Sequence, residues 1–396
     1  MMVKENQKNQ EKLSILGFGC MRFPTKGVGV DEERTINMIR SAIGAGVNYF
    51  DTAYFYHSGK SESLLGDALE GGYREKVKIA TKLPPFMVSN LEGGKKIFAT
   101  QIRKLKTDYI DYYLLHMLTD KATFDRMVNL GVMEWLEGLK EEGTIRNIGF
   151  SFHGSKMDFE QIVQAYPWDI CQIQYNYLDE NNQATKSGLQ MANSLGIPVV
   201  IMEPLRGGKL VNNLPAEVIK TFKNYDEKRT PAEWALRWVW NHPEVNVVLS
   251  GMSDEAQLEE NIKVASNVKP NSLSLEELEV FDIVKRIMLE KTKIPCTSCG
   301  YCMPCPFGVD IPGCFASYND KYLLDLKRNR WNYMQTLGVF SKHPAYASIC
   351  KECGKCEEYC PQKIQIRKQL SIVKKEMELP FFNSIVRLVR KVTKVE

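Results

Sequence analysis

Eight short apolar segments recur through the first 250 residues of this 396-residue chain, separated by stretches of helical periodicity. Runs such as YIDYYLL and IPVVIM lack the alternation of a half-buried strand, so crossover helices are expected to cover both of their faces. Eight β-then-α repeats over this length predict an α/β fold of the (β/α)8 TIM barrel type. The predicted strands are 16–19, 47–51, 77–82, 109–116, 146–151, 170–175, 198–203 and 245–250.

A doubly wound parallel sheet is the competing fold, and its phosphate-binding signature is missing. No GxGxxG follows the first predicted strand, and the string Gly59-Lys60-Ser61 is not a Walker A loop because Tyr54 stands where its first glycine should be. The barrel is therefore the favoured fold.

The composition of the chain changes after a predicted helix at 275–291, where cysteine, proline and glycine become frequent. This change predicts two domains, a barrel over 1–290 and a small ferredoxin-like domain with flanking helices over 291–396. The chain is also too long for one ordinary compact core.

Charge and hydropathy are typical of a soluble protein. The polar N-terminus lacks the apolar core of a signal peptide, and no apolar run is long enough to span a membrane, so a cytoplasmic location is predicted. The net charge is +4, but residues 286–396 carry 19 Lys and Arg against 10 Asp and Glu. Nucleic-acid binding is not predicted, because thiolate-bound clusters in this segment would account for a basic surplus.

Cysteines are concentrated near the C-terminus, where nine of the 11 lie between Cys296 and Cys360. In a reducing compartment such a concentration indicates metal binding more often than disulfides. The second run of cysteines has the spacing of bacterial ferredoxins, and the first differs by one residue before its last cysteine. Two [4Fe–4S] clusters are predicted. Zinc is the alternative, but it usually takes two CxxC pairs separated by a longer loop.

The spacing also predicts which thiolates share a cluster. Two-residue gaps let three successive cysteines surround one face of a cubane, and the proline-terminated fourth cysteine reaches the partner cluster. One ligand set is Cys296, Cys299, Cys302 and Cys360, and the other is Cys350, Cys353, Cys356 and Cys305. Cys314 is left over; it is predicted to be a buried core cysteine, with a role as substitute ligand as the alternative.

Four polar residues follow or end the second, third and fourth predicted strands, where a barrel opens into its catalytic mouth. They are Asp51, Tyr56, Lys82 and His116. Carbonyl reduction needs a proton donor for the developing alkoxide, and a free phenol with a pKa near 10 is a poor acid at neutral pH. Lys82, anchored by Asp51, is expected to lower the pKa of Tyr56, and His116 is expected to orient the carbonyl oxygen.

The segments FDTAYFYHSGKSE, ATK, DYYLLH and NIGFS resemble the aldo-keto reductase family over about residues 14–265. The resemblance implies a catalytic tetrad of Asp51, Tyr56, Lys82 and His116, with Tyr56 as general acid. It also implies contacts to the nicotinamide dinucleotide within or after four of the predicted strands. These residues are Ser151, Gln172, Glu203, Leu205, Arg206, Gly251, Ser253, Gln257, Glu260 and Asn261.

Three departures from the family pattern leave the choice between NADP and NAD open. Met202 stands where many members stack an aromatic ring on the nicotinamide, Gln257 replaces an arginine used for the 2′-phosphate, and Gly251 replaces a lysine. Arg206 or Lys209 is the candidate source of the missing charge. His57 and His153 are assigned either to the substrate mouth or to the surface.

The last stretch, 380–394, has a basic amphipathic pattern. Packing against the protein's own core is favoured over peripheral membrane contact or docking to a partner. For function, the favoured hypothesis is an oxidoreductase for a small carbonyl or alcohol substrate, with clusters that relay electrons to or from a protein partner or the substrate. Clusters that are only structural or redox-sensing are the second hypothesis. The third is an electron carrier or sensor whose barrel binds nucleotide without turnover.

Overall fold

The structure is a computed structural model that describes residues 1–27, 29–212, 214–296, 302–323, 329–339, 343–360 and 362–393. Its strands, numbered in chain order, are β1 (Val3–Glu5), β2 (Lys12–Ser14), β3 (Leu16–Gly19), β4 (Thr25–Lys26), β5 (Gly29–Val30), β6 (Tyr49–Asp51), β7 (Lys78–Leu83), β8 (Ile110–Leu118), β9 (Ile145–Phe152), β10 (Ile170–Gln174), β11 (Val199–Met202) and β12 (Val245–Ser250).

Eight of these strands form a closed barrel in the order β10-β11-β12-β3-β6-β7-β8-β9. Every neighbouring pair is parallel. All eight coincide with the strands expected from the apolar segments, and two of them, β3 and β12, have the predicted bounds. The predicted barrel is confirmed.

Helices connect the barrel strands and continue beyond them. In chain order they are α1 (Glu32–Gly44), α2 (Ser61–Leu69), α3 (Leu91–Leu105), α4 (Lys121–Asn129), α5 (Val132–Glu141), α6 (Lys156–Gln164), α7 (Thr185–Ser194), α8 (Lys209–Asn212), α9 (Ala216–Tyr225), α10 (Pro231–Trp240), α11 (Glu255–Asn267), α12 (Leu275–Glu290), α13 (Ile311–Leu323), α14 (Asn329–Met334), α15 (Lys355–Glu358), α16 (Ile366–Met377) and α17 (Phe382–Thr393).

Local sequence fixes where several barrel helices begin. Asp31, Asn90, Asp120, Ser155 and Thr230 each precede a helix and accept a hydrogen bond from a backbone N–H of its first turn. Such caps satisfy donors that the helix itself leaves unpaired.

The barrel interior is packed with side chains. Tyr49, Tyr112 and Val247 belong to one buried apolar cluster inside it, together with Leu13 from the N-terminal β1–β2 hairpin. Gly17 makes this packing fit, because a Cβ there would lie 2.7 Å from Leu249 Cδ2. The apolar pattern did not predict the hairpin, since its two strands have three residues each.

The chain divides into two compact units, 1–207 with 230–274 and 208–229 with 275–396. The predicted domain boundary near residue 290 stays a prediction, and these units place α9 and α12 with the C-terminal segment. In the second unit, Phe222 of α9 packs edge-on against Phe281 of α12 with ring centroids 6.1 Å apart.

The second unit has its own core. Its buried residues come from the loops around the cysteines and from α13, α14, α16 and α17. Prominent members are Phe315, Tyr333, Leu370 and Val386, all at most 2% exposed. Among the described residues, no helix combines the length and apolar character needed to cross a membrane.

Candidate active site and cluster ligands

The four predicted tetrad residues lie at the C-terminal ends of three neighbouring strands. Asp51 ends β6, Lys82 is the penultimate residue of β7, and His116 lies near the end of β8. Tyr56 begins a short 3-10 turn, Tyr56–Gly59, that follows β6. Because β6, β7 and β8 are adjacent and parallel, the fold brings these side chains to one edge of the barrel.

Lys82 and Asp51 form a buried ion pair. Lys82 Nζ lies 2.7 Å from Asp51 Oδ1 and donates a second hydrogen bond to the Thr52 carbonyl at 2.8 Å. The Lys82 side chain is 0% exposed and that of Asp51 is 4% exposed. Burial lowers the pKa of Lys82, but the charge of Asp51, together with the contributions of Tyr56 and the hydrogen bonds of Lys82, shifts it upward overall, so Lys82 stays protonated.

Tyr56 lies beside this ion pair, with its ring centroid 5.2 Å from Lys82 Nζ. Burial raises the pKa of the Tyr56 hydroxyl, the charge of Lys82 lowers it, and the net shift is upward. The prediction that Lys82 brings the Tyr56 pKa down toward neutrality is therefore wrong for the protein alone. Desolvation of the phenolate outweighs its attraction to the ammonium, because Asp51 neutralises much of that charge.

His116 is held by aromatic neighbours. Its ring stacks on Phe55 with centroids 4.8 Å apart and meets Tyr56 edge-on at 5.9 Å. Burial and the charge of Lys82 hold the pKa of His116 well below its ordinary value, so the imidazole is neutral at physiological pH. Its Nδ1 atom is buried and has no hydrogen-bond partner.

The backbone next to His116 is irregular. The pairing of β8 with β9 shifts after Leu115, and Met117 has a left-handed backbone with φ of 56°. The Met117 N–H donates to Ser151 Oγ at 2.8 Å. Left-handed non-glycine residues are uncommon and often mark functional positions. Ser151 thus fixes the turn that carries His116, and its own hydroxyl proton is left to donate.

A buried polar network supports the strand that carries Lys82, and the sequence did not indicate it. Glu62 Oε1 accepts hydrogen bonds from Thr81 Oγ1 and from Gln101 Nε2, both at 2.7 Å. Gln101 Nε2 also donates to the Lys82 carbonyl at 3.0 Å. Glu62 and Gln101 come from α2 and α3, so two helices position one strand end.

Gln172 carries an unused acceptor toward the mouth of the barrel. Its Oε1 atom is buried without a hydrogen-bond partner, while its Nε2 atom lies 3.6 Å from Met202 Sδ. The Asp51 Oδ2 atom is likewise buried and unpartnered. Buried acceptors without partners are costly in a native protein, so they are expected to meet a bound group.

The predicted adenosine-end residues lie together after β12. Asn261 Nδ2 donates to Ser250 Oγ at 2.9 Å, and the Ser253 N–H donates to Gln257 Oε1 at 3.0 Å. Glu260 accepts a hydrogen bond from Thr230 Oγ1. This loop is therefore ordered by its own polar side chains.

Arg206 and Lys209 are both paired within the protein. The Arg206 guanidinium binds Asp179 through two hydrogen bonds of 2.7 and 3.0 Å, and Asn176 supports that carboxylate at 2.8 Å. Lys209 belongs to the second unit, where its ammonium lies 2.9 Å from Asp320. Each of these two cations is therefore already paired with a carboxylate of the protein.

Arg22 is a cation that the sequence analysis missed. Its exposed side chain lies against Gly251 and Gly207 of two mouth loops. A Cβ at Gly251 would lie 3.1 Å from Arg22 Cβ, and a Cβ at Gly207 would lie 2.6 Å from Arg22 Nη2. Gly251, which departs from the family pattern, has no side chain, and Arg22 occupies the space that a side chain there would fill. Its position directly after β3 was the available signal.

His57 and His153, the two histidines assigned to the substrate mouth or to the surface, differ in their surroundings. The His57 Nε2 atom accepts a hydrogen bond from the Phe23 N–H at 3.2 Å, and the two rings stack at 4.9 Å. His153 is half-buried and close enough to His116 for its charge to act there. Burial lowers the pKa of His153, and the charge of Glu203 opposes this shift.

In the second unit, one predicted cluster ligand set lines a single indentation. Cys305, Cys350, Cys353 and Cys356 line this indentation together with Pro306, Phe307 and Arg367. The Glu352 N–H donates to Cys350 Sγ at 3.3 Å. Cys305 is remote in sequence from the other three, so this grouping is the crosswise one that the spacing predicts.

The other ligand set is described only in part. Cys296, Cys302 and Cys360 pack against the core of the second unit, and Cys299 lies outside the described residues. Cys314 is fully buried, with its Sγ atom 3.8 Å from the Tyr333 hydroxyl, as expected of a core cysteine. Within the described ranges, no three His, Cys, Asp or Glu side chains lie close enough together to hold a single metal ion.

Comparison with known families agrees with both halves of the chain. Residues 15–279, about two thirds of the chain, match the aldo/keto reductase family, and residues 295–365 match the 4Fe-4S dicluster domain. The chain therefore belongs to the aldo/keto reductase family. It is an NAD(P)-dependent oxidoreductase that carries a C-terminal iron–sulfur domain, as the resemblance implied.

Relatives and solved structures cover the barrel. Probable aldo-keto reductase 1 from Glycine max is 28% identical over 302 residues, which are 67% of this chain and 85% of the relative. The holo form of aldo-keto reductase AKR11C1 from Bacillus halodurans is 26% identical, with a TM-score of 0.60, 72% of this chain and 96% of that chain covered. An aldo-keto reductase from Klebsiella pneumoniae in complex with NADPH is 24% identical with the same TM-score and coverage.

Proposed function

We propose that the barrel reduces the carbonyl group of a small aldehyde, ketone or quinone, or oxidises the corresponding alcohol, and that NADP or NAD is its hydride carrier. The C-terminal domain binds two [4Fe–4S] clusters for electron transfer. The observation that carries the proposal is the buried Lys82–Asp51 ion pair beside Tyr56 and neutral His116, all at one edge of the barrel.

Tyr56 is the proton donor in the reduction direction. Its raised pKa keeps the hydroxyl protonated over the whole neutral range, and a phenol remains far more acidic than the alcohol that forms. The proton moves from the Tyr56 hydroxyl to the developing alkoxide oxygen. The Lys82 ammonium then stabilises the phenolate that is left, and Asp51 keeps that ammonium in place.

His116 orients the substrate. A neutral imidazole carries one N–H donor and one acceptor, so it can donate to the carbonyl oxygen without introducing a charge. The aromatic rings of Phe55 and Tyr56 fix its plane. The His116 Nδ1 atom has no hydrogen-bond partner in the protein. The group that binds next to it therefore determines which ring nitrogen carries the proton.

Gln172 and Ser151 are the residues that would hold the nicotinamide carboxamide. The unpartnered, buried Gln172 Oε1 atom fits an amide N–H donor, and the Ser151 hydroxyl proton fits an amide carbonyl. When bound there, the nicotinamide supplies or accepts the hydride. Further contacts are assigned to Glu203, Leu205, Arg206, Gly251, Ser253, Gln257, Glu260 and Asn261. The Klebsiella pneumoniae relative in complex with NADPH supports NADP.

Arg22 supplies positive charge to the phosphates of the dinucleotide. It is exposed and lies across Gly207 and Gly251, between two loops assigned to cofactor binding. Arg206 cannot take this role without leaving Asp179 buried and unpaired, which would cost several kcal/mol. The missing lysine of the family is thus replaced by a residue from a different strand end.

The clusters are held crosswise, one by Cys296, Cys299, Cys302 and Cys360 and one by Cys350, Cys353, Cys356 and Cys305. The shared indentation of the second set supports this assignment, because cysteines from both runs line it. A cluster exchanges one electron at a time, so its partner is a one-electron carrier protein in the cytoplasm.

The test of the barrel's activity is transfer of deuterium from nicotinamide-labelled NADPH or NADH to the carbonyl carbon of aldehydes and ketones, read by mass spectrometry. The holoprotein is used under anaerobic conditions, with quinones followed by absorbance. Deuterium on the product carbon supports the proposal. Nucleotide binding with no substrate turned over would favour a nucleotide-binding sensor instead.

A further inference from the structure

The C-terminal helix α17 has two apolar faces, and the structure uses only one of them. Phe382 and Val386 are buried in the core of the second unit, with Phe382 packed against Tyr333 and Tyr346 at centroid distances of 5.9 and 5.0 Å. The sequence favoured packing of this segment against the protein's own core, and the face with Phe382 and Val386 packs in that way.

Arg390 fixes the rotation of the helix about its axis. It is 6% exposed, and its guanidinium donates to the carbonyls of Gly338 and Val339 at 3.0 and 3.2 Å. With Phe382, Val386 and Arg390 all turned inward at a spacing of four residues, the opposite side of α17 is held outward.

A second apolar stripe lies on the outward side. Ile385 and Leu388 lie three residues apart on α17 and are 38% and 64% exposed, and Phe381, the residue directly before the helix, is 83% exposed. We name these three residues the outer stripe. Exposed apolar side chains are ordinary when they are scattered, but three large ones within eight residues of the chain mark an interaction surface.

Positive charge accompanies the outer stripe. Arg387 and Lys391 are exposed and lie on the next helical face, away from the buried side. No acidic residue occurs in the sequence between Glu378 and Glu396. The charged residues beside the outer stripe are all basic. The basic groups of a mixed-charge protein surface would find no acidic partner here, whereas the phosphates of an anionic lipid surface would pair with these residues.

We propose that α17 binds an anionic membrane surface, with the outer stripe inserted at the boundary of headgroups and acyl chains and with Arg387 and Lys391 on lipid phosphates. The helix lies in the plane of the membrane. The buried Phe382, Val386 and Arg390 keep the second unit attached to it, so the iron–sulfur domain is held at the lipid surface.

Flotation of the iron-reconstituted full-length protein with vesicles tests this. Phosphatidylcholine vesicles with and without phosphatidylglycerol are compared, at low and high salt. The apolar variant is Phe381→Ser with Leu388→Ser, and its matched control is Leu275→Ser with Leu289→Ser, which are 82% and 69% exposed on α12. The charge variant is Arg387→Gln with Lys391→Gln, and its matched control is the exposed Arg286→Gln.

Wild type and both controls are expected to float with anionic vesicles and to be released by high salt. Removing the two outer-stripe side chains should weaken binding at least about tenfold, and each removed cation should weaken it about fivefold. Equal flotation of the apolar variant and wild type would overturn the proposal. So would absence of wild-type binding, or a wild-type dimer that dissociates in the apolar variant, since a second copy would then cover the stripe. Cluster absorption verifies that each variant is folded.

Discussion

The Lys82 ammonium lies 2.7 Å from the Asp51 carboxylate, and both groups are almost completely removed from solvent. Two charges in such a place are stable only together, because each compensates the desolvation of the other. The ion pair therefore does two things. It holds a cation beside the Tyr56 hydroxyl, and it makes the folded barrel depend on both partners.

Lys82→Met should destabilise the barrel by about 3–5 kcal/mol, because it leaves the Asp51 carboxylate buried and unpaired. Adding Asp51→Asn should restore much of this loss, since the amide needs no counter-charge. Urea unfolding of the barrel, followed by tryptophan fluorescence, measures both. If the double variant is as unstable as the sum of the two single variants, the two residues do not act as a pair.

The pH dependence of the reaction should reflect Tyr56 alone. Its pKa is raised from the ordinary value of about 10, and that of His116 is lowered below its ordinary value of about 6.5, so neither group titrates between about pH 7 and 9. Carbonyl reduction, which needs protonated Tyr56, should be flat over this range and fall only at higher pH. Alcohol oxidation, which needs the phenolate, should rise as pH increases.

Steady-state kcat in both directions, each measured across this range in one buffer series, checks the prediction. A reduction rate that falls between about pH 7 and 9 would contradict the upward shift of the Tyr56 pKa. It would mean that the bound dinucleotide changes the balance between burial and the charge of Lys82.

The barrel was predictable because its strands are buried on both faces and read as unbroken apolar runs. Strands β3 and β12 were predicted with the observed bounds, and the helix predicted at 275–291 is α12, which ends one residue earlier. The β1–β2 hairpin was missed because three-residue strands carry too little pattern.

For the candidate site, the sequence predicted which residues lie close together but not their protonation or their partners. Strand ends placed Asp51, Lys82 and His116 together, but a pKa depends on burial and on every nearby charge, which a sequence does not contain. For the same reason the pairing of Arg206 with Asp179 could not be foreseen. Arg22 could not be predicted either, because its position depends on the room that Gly251 leaves for it in the folded chain.

The crosswise assignment of the cysteines predicts a pattern of iron loss. Cys305→Ala and Cys353→Ala should each remove the same cluster, so either variant and their double variant should all retain about half of the iron. Cys302→Ala combined with Cys353→Ala should lose both clusters. Iron and sulfide analysis with EPR measures this, and Cys314→Ala is the control that should keep all of its iron.

If each cysteine run holds its own cluster instead, the double variants that involve Cys305 lose different numbers of clusters. Cys305→Ala combined with Cys353→Ala would then lose both clusters, and Cys302→Ala combined with Cys305→Ala would lose one. The two arrangements are distinguished by iron content alone.

Arg22→Gln should weaken binding of NADPH about tenfold, because one charged contact to a phosphate contributes about 1.5–3 kcal/mol. The substitution should leave kcat nearly unchanged, since Arg22 does not touch the tetrad. Fluorescence titration of the dinucleotide measures the affinity, with the exposed Lys26→Gln as control. Equal affinities of Arg22→Gln and wild type would exclude Arg22 from the phosphate site.

The most direct test of the account is kcat for carbonyl reduction by Tyr56→Phe, compared with Tyr49→Phe. Both substitutions remove one hydroxyl from the same barrel, and Tyr49 belongs to the apolar cluster inside it, with a buried hydroxyl that has no hydrogen-bond partner and no role in the proposed chemistry. Tyr56→Phe should lower kcat by about 10²- to 10⁴-fold, as expected for loss of a general acid, with nucleotide affinity retained. Tyr49→Phe should keep wild-type activity. If Tyr56→Phe turns over at the rate of Tyr49→Phe, Tyr56 is not the proton donor and the proposed mechanism is wrong.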